Sequence, residues 1–428
     1  MKPYLAYKKQ FKLIFLSLIF IFPLLFLNAQ TAQELKDKID QKNADIERLE
    51  QEIKAYQLEL NELGQQKSSL SVSLKELDIT RKKLNANISV LEDKIDTTNF
   101  KITGLSSQIG TKQESILNNT DAIAAGFRKI NEFEQSGELE VILSESNFTE
   151  AWNDIDNMFT IREKVREHTI ELRKVKSDLE DIKDETTIAR NELLKLKSDL
   201  ADQKKIVEQN VAAKNKLLSQ TKNSESAYQK LLQDQLAKKV AIEKELQDYE
   251  SQLKFILDPS KLPSAGVLSW PLDYVYVTQL FGRTVDATRL YASGSHSGTD
   301  FRASVGTPVK AMADGKVLGI GDTDVTCAGA SFGKWVFIEY NNGLSSTYGH
   351  LSLIKAYKGQ KVKRGDVVAY SGNTGHTTGP HLHVSVYVSS AAAVQTLPSK
   401  SCPGKTLTQP LAPTNAYLDP MYYLPPYN

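Results

Sequence analysis

Between Pro23 and Pro259 the chain contains no proline, so more than half of its 428 residues lack the strongest helix breaker. Cysteine is nearly as scarce, with only Cys327 and Cys402. In an exported chain such an isolated pair is most simply a disulfide, tying the loop after Asp324 to the Pro/Lys-rich insert before Leu411; two free thiols are the alternative. An excess of one charge sign is also missing. The formal net charge is +1, which argues against a nucleic-acid partner, because that class of ligand requires a basic face. Histidine is rare and unevenly placed: five of the six follow residue 295, namely His296, His350, His376, His381 and His383.

The chain opens with Lys2, Lys8, Lys9 and Lys12, then an apolar run from Leu13 to Leu27 and a cleavage-like Leu27-Asn28-Ala29. Residues 1–29 therefore read as a secretory signal peptide, with an uncleaved anchor as the rival, since the run is slightly short for a membrane span. No cysteine lies near the cleavage site, which excludes a lipoprotein. The protein is expected to be exported, and periplasmic or cell-envelope associated.

From residue 30 to 257 the composition turns to Lys, Glu, Asp, Gln and Leu. Leu35, Ile39, Ile46, Leu49, Ile53, Tyr56, Leu60 and Leu63 follow 3–4 spacing, and the register continues through Leu70, Leu84 and Leu105 to Ile109. A heptad held that long predicts a coiled coil. The pattern weakens near 126–160, where 139–159 reads as short helices, and a second arm then runs from Leu172 to Leu253. Two arms flanking a break predict one long antiparallel coiled-coil hairpin. His168, alone among charged neighbours, reads as a solvated position.

Residues 258–267 are rich in turn formers and read as a linker. Beyond it, 268–428 carries short β-prone runs at 275–280, 309–313, 316–320, 335–340 and 367–370, separated by Gly, Asp and Pro. That predicts an all-β barrel or sandwich. Here lie His381-Leu382-His383, whose imidazoles project from one side of a strand, His296-Ser-Gly-Thr-Asp300 and Tyr348-Gly349-His350. Imidazole nitrogens with one carboxylate oxygen and no thiolate suit a catalytic zinc that keeps a position open for water.

The segments HSGTD, STYGHLS and TGHTTGPHLHV, with SWPL (269–272), TQLFG (278–282), GTPVKAMADGKV (306–317) and GQKVKRGDVVAYSGNTG (359–375), resemble the lysostaphin/LytM-type zinc metallopeptidases of bacterial cell walls. The resemblance spans 268–390. It implies Zn2+ held by His296, Asp300 and His383, with His350 and His381 as catalytic histidines that bind no metal, and a peptidoglycan peptide as substrate. His376 sits where that family often has an arginine, and is open between a substrate contact and a loop residue; Asn373 and Tyr348 are candidates for the cleft border. After the HLH motif the family frequently shows an aromatic and then Glu. Here Val384-Ser385 follows, so an acid that orients a ligand is missing or replaced by Ser385.

A coil followed by such a domain also resembles the EnvC-type regulators of cell-wall hydrolases. That likeness implies docking of the coil on a membrane transporter-like complex or a wall amidase. Three functions follow: a zinc endopeptidase of peptidoglycan cross-links, positioned or regulated by its coil; a non-enzymatic EnvC-like activator of a separate amidase; and a periplasmic pump adaptor. The adaptor reading leaves the five site residues without a role, and the activator class has lost zinc ligands that this chain retains.

Overall fold

A computed structural model of the protein describes residues 32–63, 69–136, 148–253, 255, 257–290, 294–399 and 402–427. The expected signal peptide lies outside the described residues. Four long helices precede the sheet: α1 (Ala32–Leu63), α2 (Leu70–Ser136), α3 (Phe148–Thr221) and α4 (Glu225–Gln252). The chain divides into two compact units, residues 1–46 with 92–197, and residues 47–91 with 198–428.

In the first unit α2 and α3 run antiparallel. Lys101 pairs with Glu185, Lys112 with Asp178, and Asn119 Oδ1 meets His168 Nδ1 at 2.8 Å. His168 is therefore half-buried and bonded across the helix pair, not simply solvated. The helix does not weaken at Gly126. A Cβ there would come within 2.2 Å of Val165 Cγ2, so the glycine marks a close helix crossing, and α2 continues to Ser136. Of residues 139–159, read as short helices, 148–159 form the first turns of α3, and 139–147 lie outside the described residues.

The second unit corrects the expectation of two simple arms. The register that reads as continuous from Leu63 to Leu70 belongs to two helices, since α1 ends at Leu63 and α2 begins at Leu70. Here Leu60 and Tyr56 pack on Ile79 and Val72, and Lys83 Nζ donates to Gln57 at 2.8 Å. On the other side Leu84 packs with Ile206. With partners on two sides, α2 buries residues outside the heptad seam, including Glu76, Thr80 and Lys83. Helix α3 ends where Lys222 and Asn223 take φ of 49° and 58°, and Ser224 then caps α4.

The rest of the second unit is one ten-stranded antiparallel sheet with a separate hairpin. Its strands are β1 (Val277–Gln279), β2 (Thr299–Arg302), β3 (Pro308–Lys310), β4 (Gly315–Asp322), β5 (Lys334–Tyr340), β6 (Leu344–Ile354), β7 (Lys361–Val362), β8 (Val367–Ser371), β9 (His381–Val388) and β12 (Tyr417–Leu418). The main path is β1-β2-β9-β6-β5-β4-β7, with β3 on β8, β8 on β6 and β12 on β9. Strand β6, rich in Ser, Thr and Gly, is absent from the apolar runs of the sequence, yet all but its last residue is buried because β5, β8 and β9 surround it. Phe301, Met312, Val336 and Leu382 form part of the core, each worth about 1.5–3 kcal/mol of burial.

The segment 258–267 is not a free tether. Leu262 and Val267 pack on that core, and Gly266 and Leu268 donate to the Tyr422 and Tyr423 carbonyls. The C-terminal Tyr423 and Leu424 return to the core. The hairpin, β10 (Ala393–Pro398) with β11 (Thr406–Leu411), is joined by the Cys327–Cys402 disulfide to the loop between β4 and β5.

Candidate active site

Strand pairing assembles the site. In the β2/β9 ladder Asp300 lies opposite His383, and Arg302 opposite His381. On the other flank of β9, Gly349 of β6 lies opposite His383, placing His350 beside it. His296 is fixed by a bridge to Gly282, with both backbone hydrogen bonds at 2.9 Å. Gly298 must lack a side chain, because a Cβ would approach the Val384 carbonyl to 2.4 Å and the His383 ring to 2.7 Å. These contacts give physical content to the TQLFG and HSGTD segments.

Each imidazole has one nitrogen held by an oxygen, and for His296, His350 and His381 that oxygen is a carbonyl, which requires an N–H on the facing nitrogen. His296 Nδ1 donates to the Leu280 carbonyl at 3.1 Å. His383 Nε2 lies 2.8 Å from Ser385 Oγ. His350 Nδ1 donates to the Thr374 carbonyl at 2.8 Å, and His381 Nδ1 to the Gly379 carbonyl at 2.7 Å. His296 Nε2, His383 Nδ1 and Asp300 Oδ1 are left facing one another, at 3.1, 3.3 and 2.9 Å. A tetrahedral ion with bonds of about 2.0–2.1 Å separates its ligands by roughly 3.3 Å, so this buried donor set fits zinc. Three potential ligand atoms at such distances, of types that zinc prefers, are the structural reason to place a cation there.

Ser385 therefore occupies the orienting position that the sequence leaves open. Its hydroxyl holds His383 Nε2 at 2.8 Å, which leaves Nδ1 facing Asp300.

The electrostatics separate the groups. Burial alone would raise the Asp300 carboxyl, but the imidazoles of His381 and His296 outweigh it and hold the group well below the usual carboxylate range. Burial, together with the neighbouring His381 and His383, holds His350 well below the usual imidazole range. His350 is thus a neutral ring at pH 7 with Nε2 unprotonated, the form a general base requires. Its backbone sits at φ 61°, a strain of about 1–3 kcal/mol of the kind concentrated at functional sites. The His350 and His381 rings are 4.6 Å apart, and His381 Nε2 lies 3.5 Å from Asp300 Oδ2.

His376 lines the same cleft, held by its backbone N–H on the Ser331 carbonyl. Tyr348 does not border it: the side chain is fully buried and its hydroxyl bonds Met312 N and Tyr340. Asn373 stays in its own turn, bonded to Thr377.

Sequence reasoning missed the other wall of the cleft. A cavity of about 390 Å³ is lined by His296, His350 and His383 on one side and by Leu246, Gln247 and Glu250 of α4 on the other. Ile242 and Leu246 are buried against Ala330, Leu407 and Leu411. Tyr417 donates to Glu250, Ser399 to Glu245, and Asn415 to the Phe255 carbonyl. Burial pushes the Glu250 carboxyl up to about 7, against the opposing pull of the Tyr417 hydroxyl. No residue of α4 forms a motif, so only packing reveals this wall.

Residues 294–395 match the profile of Peptidase family M23, which places an M23 domain in the C-terminal part of the chain. Peptidoglycan DD-endopeptidase ShyA of Vibrio cholerae is 44% identical over 93 residues, 22% of this chain and 20% of that protein. Glycyl-glycine endopeptidase ALE-1 of Staphylococcus capitis is 40% identical over 91 residues, 21% of this chain and 24% of that one. The catalytic domain of lysostaphin from Staphylococcus simulans is a structural neighbour at 26% identity and a TM-score of 0.26, covering 34% of this chain and 90% of its own. The chain thus spans about a fifth of the length of the curated relatives it matches.

Proposed function

We propose that the protein is an exported, zinc-dependent endopeptidase that hydrolyses peptide cross-links of bacterial peptidoglycan, restrained by its own helical region. The observation that carries this reading is the buried His296, Asp300 and His383 donor set, with His296 Nδ1 tied to the Leu280 carbonyl and His383 Nε2 to Ser385, so that the other ring nitrogens face Asp300. Zinc, when bound, would polarise a peptide carbonyl and lower the pKa of water towards neutrality. His350, neutral and anchored on Thr374, would accept a proton at Nε2, and His381, anchored on Gly379, would give or stabilise charge at its own Nε2. Export and envelope residence follow from the N-terminal sequence and from a substrate that lies outside the cytoplasm.

Helix α4 supports the regulated part of the reading, because it lies across the cleft that a peptide would enter. A partner that draws the long helices away, such as a membrane transporter-like complex, would open the site. The intact donor set favours the enzyme over an activator of a separate amidase.

The test is digestion of purified peptidoglycan by the zinc-loaded full chain, by an Ile242→Asp/Leu246→Asp variant and by His383→Ala, with products read by mass spectrometry. New amino and carboxyl ends from cross-links, greatest in the double variant and absent in His383→Ala, are expected. Zinc bound at one per chain with no new ends in any sample would point instead to the amidase-activator role.

A further inference from the structure

His350 is held at two places by two different segments. Its backbone N–H donates to the Phe332 carbonyl at 2.7 Å, from the loop between β4 and β5. Its ring donates to the Thr374 carbonyl at 2.8 Å, from the turn before β9. A left-handed residue with its ring aimed into a cleft keeps that pose only while both supports stay in register.

One carboxylate joins the two supports. Asp324 Oδ1 accepts the Gly329 N–H at 2.6 Å, inside the β4/β5 loop. Asp324 Oδ2 accepts the Gly375 N–H at 2.8 Å, in the residue after Thr374. Both are charge-assisted bonds, stronger than neutral ones. The two segments touch closely enough that a Cβ on Gly375 would come within 2.2 Å of Gly333 N. Around this contact the chain is also fixed from outside: Thr323 N donates to the Gly333 carbonyl at 2.9 Å, and Cys327, three residues from Asp324, is tied to Cys402. Asp324 itself contacts none of the proposed zinc ligands and does not line the cleft.

The geometry points to Asp324 as a positioning residue that clamps the loop carrying Phe332 to the turn carrying Thr374, and so sets the place of the His350 ring. This inference rests on the peptidase reading of the site and adds a residue that belongs to none of the histidine motifs. Loss of the carboxylate leaves two glycine N–H groups without their acceptor and loosens the register of the two supports of His350, which His376 N–H on the Ser331 carbonyl and Lys334 N–H on Thr374 Oγ1 then hold with less restraint. The zinc donors stand on β2, β9 and the Gly282 bridge, so they are untouched.

The experiment uses the full zinc-loaded chain, both wild type and with the Ile242→Asp/Leu246→Asp change that frees the cleft. In each, Asp324→Ala and Asp324→Asn are compared for kcat and KM on a cross-linked muropeptide, bound zinc, thermal midpoint and the NMR signal of the His350 Nδ1–H. For Asp324→Ala we expect kcat to fall about 100-fold, the cost of misplacing a reacting group by about 1 Å. KM should stay within about twofold, since ground-state binding is not touched. Asp324→Asn retains one acceptor oxygen and should lose about tenfold, the worth of one hydrogen bond. Zinc should remain at one per chain, while the His350 ring proton exchanges faster.

An unchanged ring proton and unchanged kcat would overturn the inference. So would a kcat loss that merely follows loss of zinc or of the folded state. If the parent chains release no muropeptide at all, the peptidase reading fails, and the His350 ring proton still decides whether Asp324 places it.

Discussion

The smallest device in the site is a hydroxyl. Ser385 is fully buried, and its bond to His383 Nε2 is what holds the ring with Nδ1 towards Asp300 and His296. Orienting partners of this kind typically govern zinc affinity by 10–100-fold. Ser385→Ala is therefore expected to weaken zinc binding by about 10–100-fold, measured by competition with a chelator, while the sheet stays folded. Equal affinity in the two proteins would show that His383 keeps its tautomer without help. At this scale the sequence was informative about side chains and silent about carbonyls. His296, Asp300, His350, His381 and His383 stand out because their side chains are rare and chemically specific. Leu280, Thr374 and Gly379 contribute through the backbone oxygen that every residue carries, and no residue type announces that role.

Among elements, α4 carries the most consequence. Ile242 and Leu246 bury about 1.5–3 kcal/mol each against the β10/β11 hairpin and the β4/β5 loop. Replacing both by Asp should release the helix and raise cross-link cleavage by at least about tenfold, a factor worth about 1.4 kcal/mol. Glu250 makes this contact depend on pH. Its carboxyl faces the Tyr417 hydroxyl, with Tyr387 behind it, and burial raises it from 4.5 to about 7. The docked position prefers the protonated acid, so this part of its hold is full below about pH 4.5 and is lost as pH rises to about 7. At 1.36 kcal/mol per pH unit the upper bound on that loss is about 3 kcal/mol. Hydrogen exchange of residues 242–250, corrected for intrinsic rates, should accelerate across this window in the wild type and stay flat in Glu250→Gln.

The helices also show where periodicity misleads. Leu63 and Leu70 share a register across what are two helices, because an antiparallel neighbour demands the same seven-residue pattern as a continuation does. Gly126 reads as a weak point, yet it is the residue that lets Val165 approach. Strand β6 escaped notice for a related reason: buried between neighbours on both sides, it needs no alternation of apolar and polar residues.

For the molecule as a whole, the division into a long helical part and an antiparallel sheet was legible from the proline-free stretch and the change in texture near residue 258. What composition could not convey is that the last helix belongs with the sheet. It shares a compact unit with it, and the disulfide reinforces the surface on which it sits. Cys327 and Cys402 are 75 residues apart, a loop long enough that removing the bond should cost about 2–5 kcal/mol. Cys327→Ser/Cys402→Ser is thus expected to lower the thermal midpoint of the sheet unit; an unchanged midpoint would show that packing alone fixes the hairpin. Among the described residues no helix is long and apolar enough to cross a membrane.

The short span from Gln252 to the packed Pro259 turn has a quantitative consequence. A cover tied to its cleft by so few residues is present at a local concentration of roughly millimolar or more. A dissolved peptide fragment at micromolar level would compete poorly with it unless it bound far more tightly than the helix does. On the proposed reading, a pull on the helices delivered at one place and time would open the site more readily than the abundance of what it cuts.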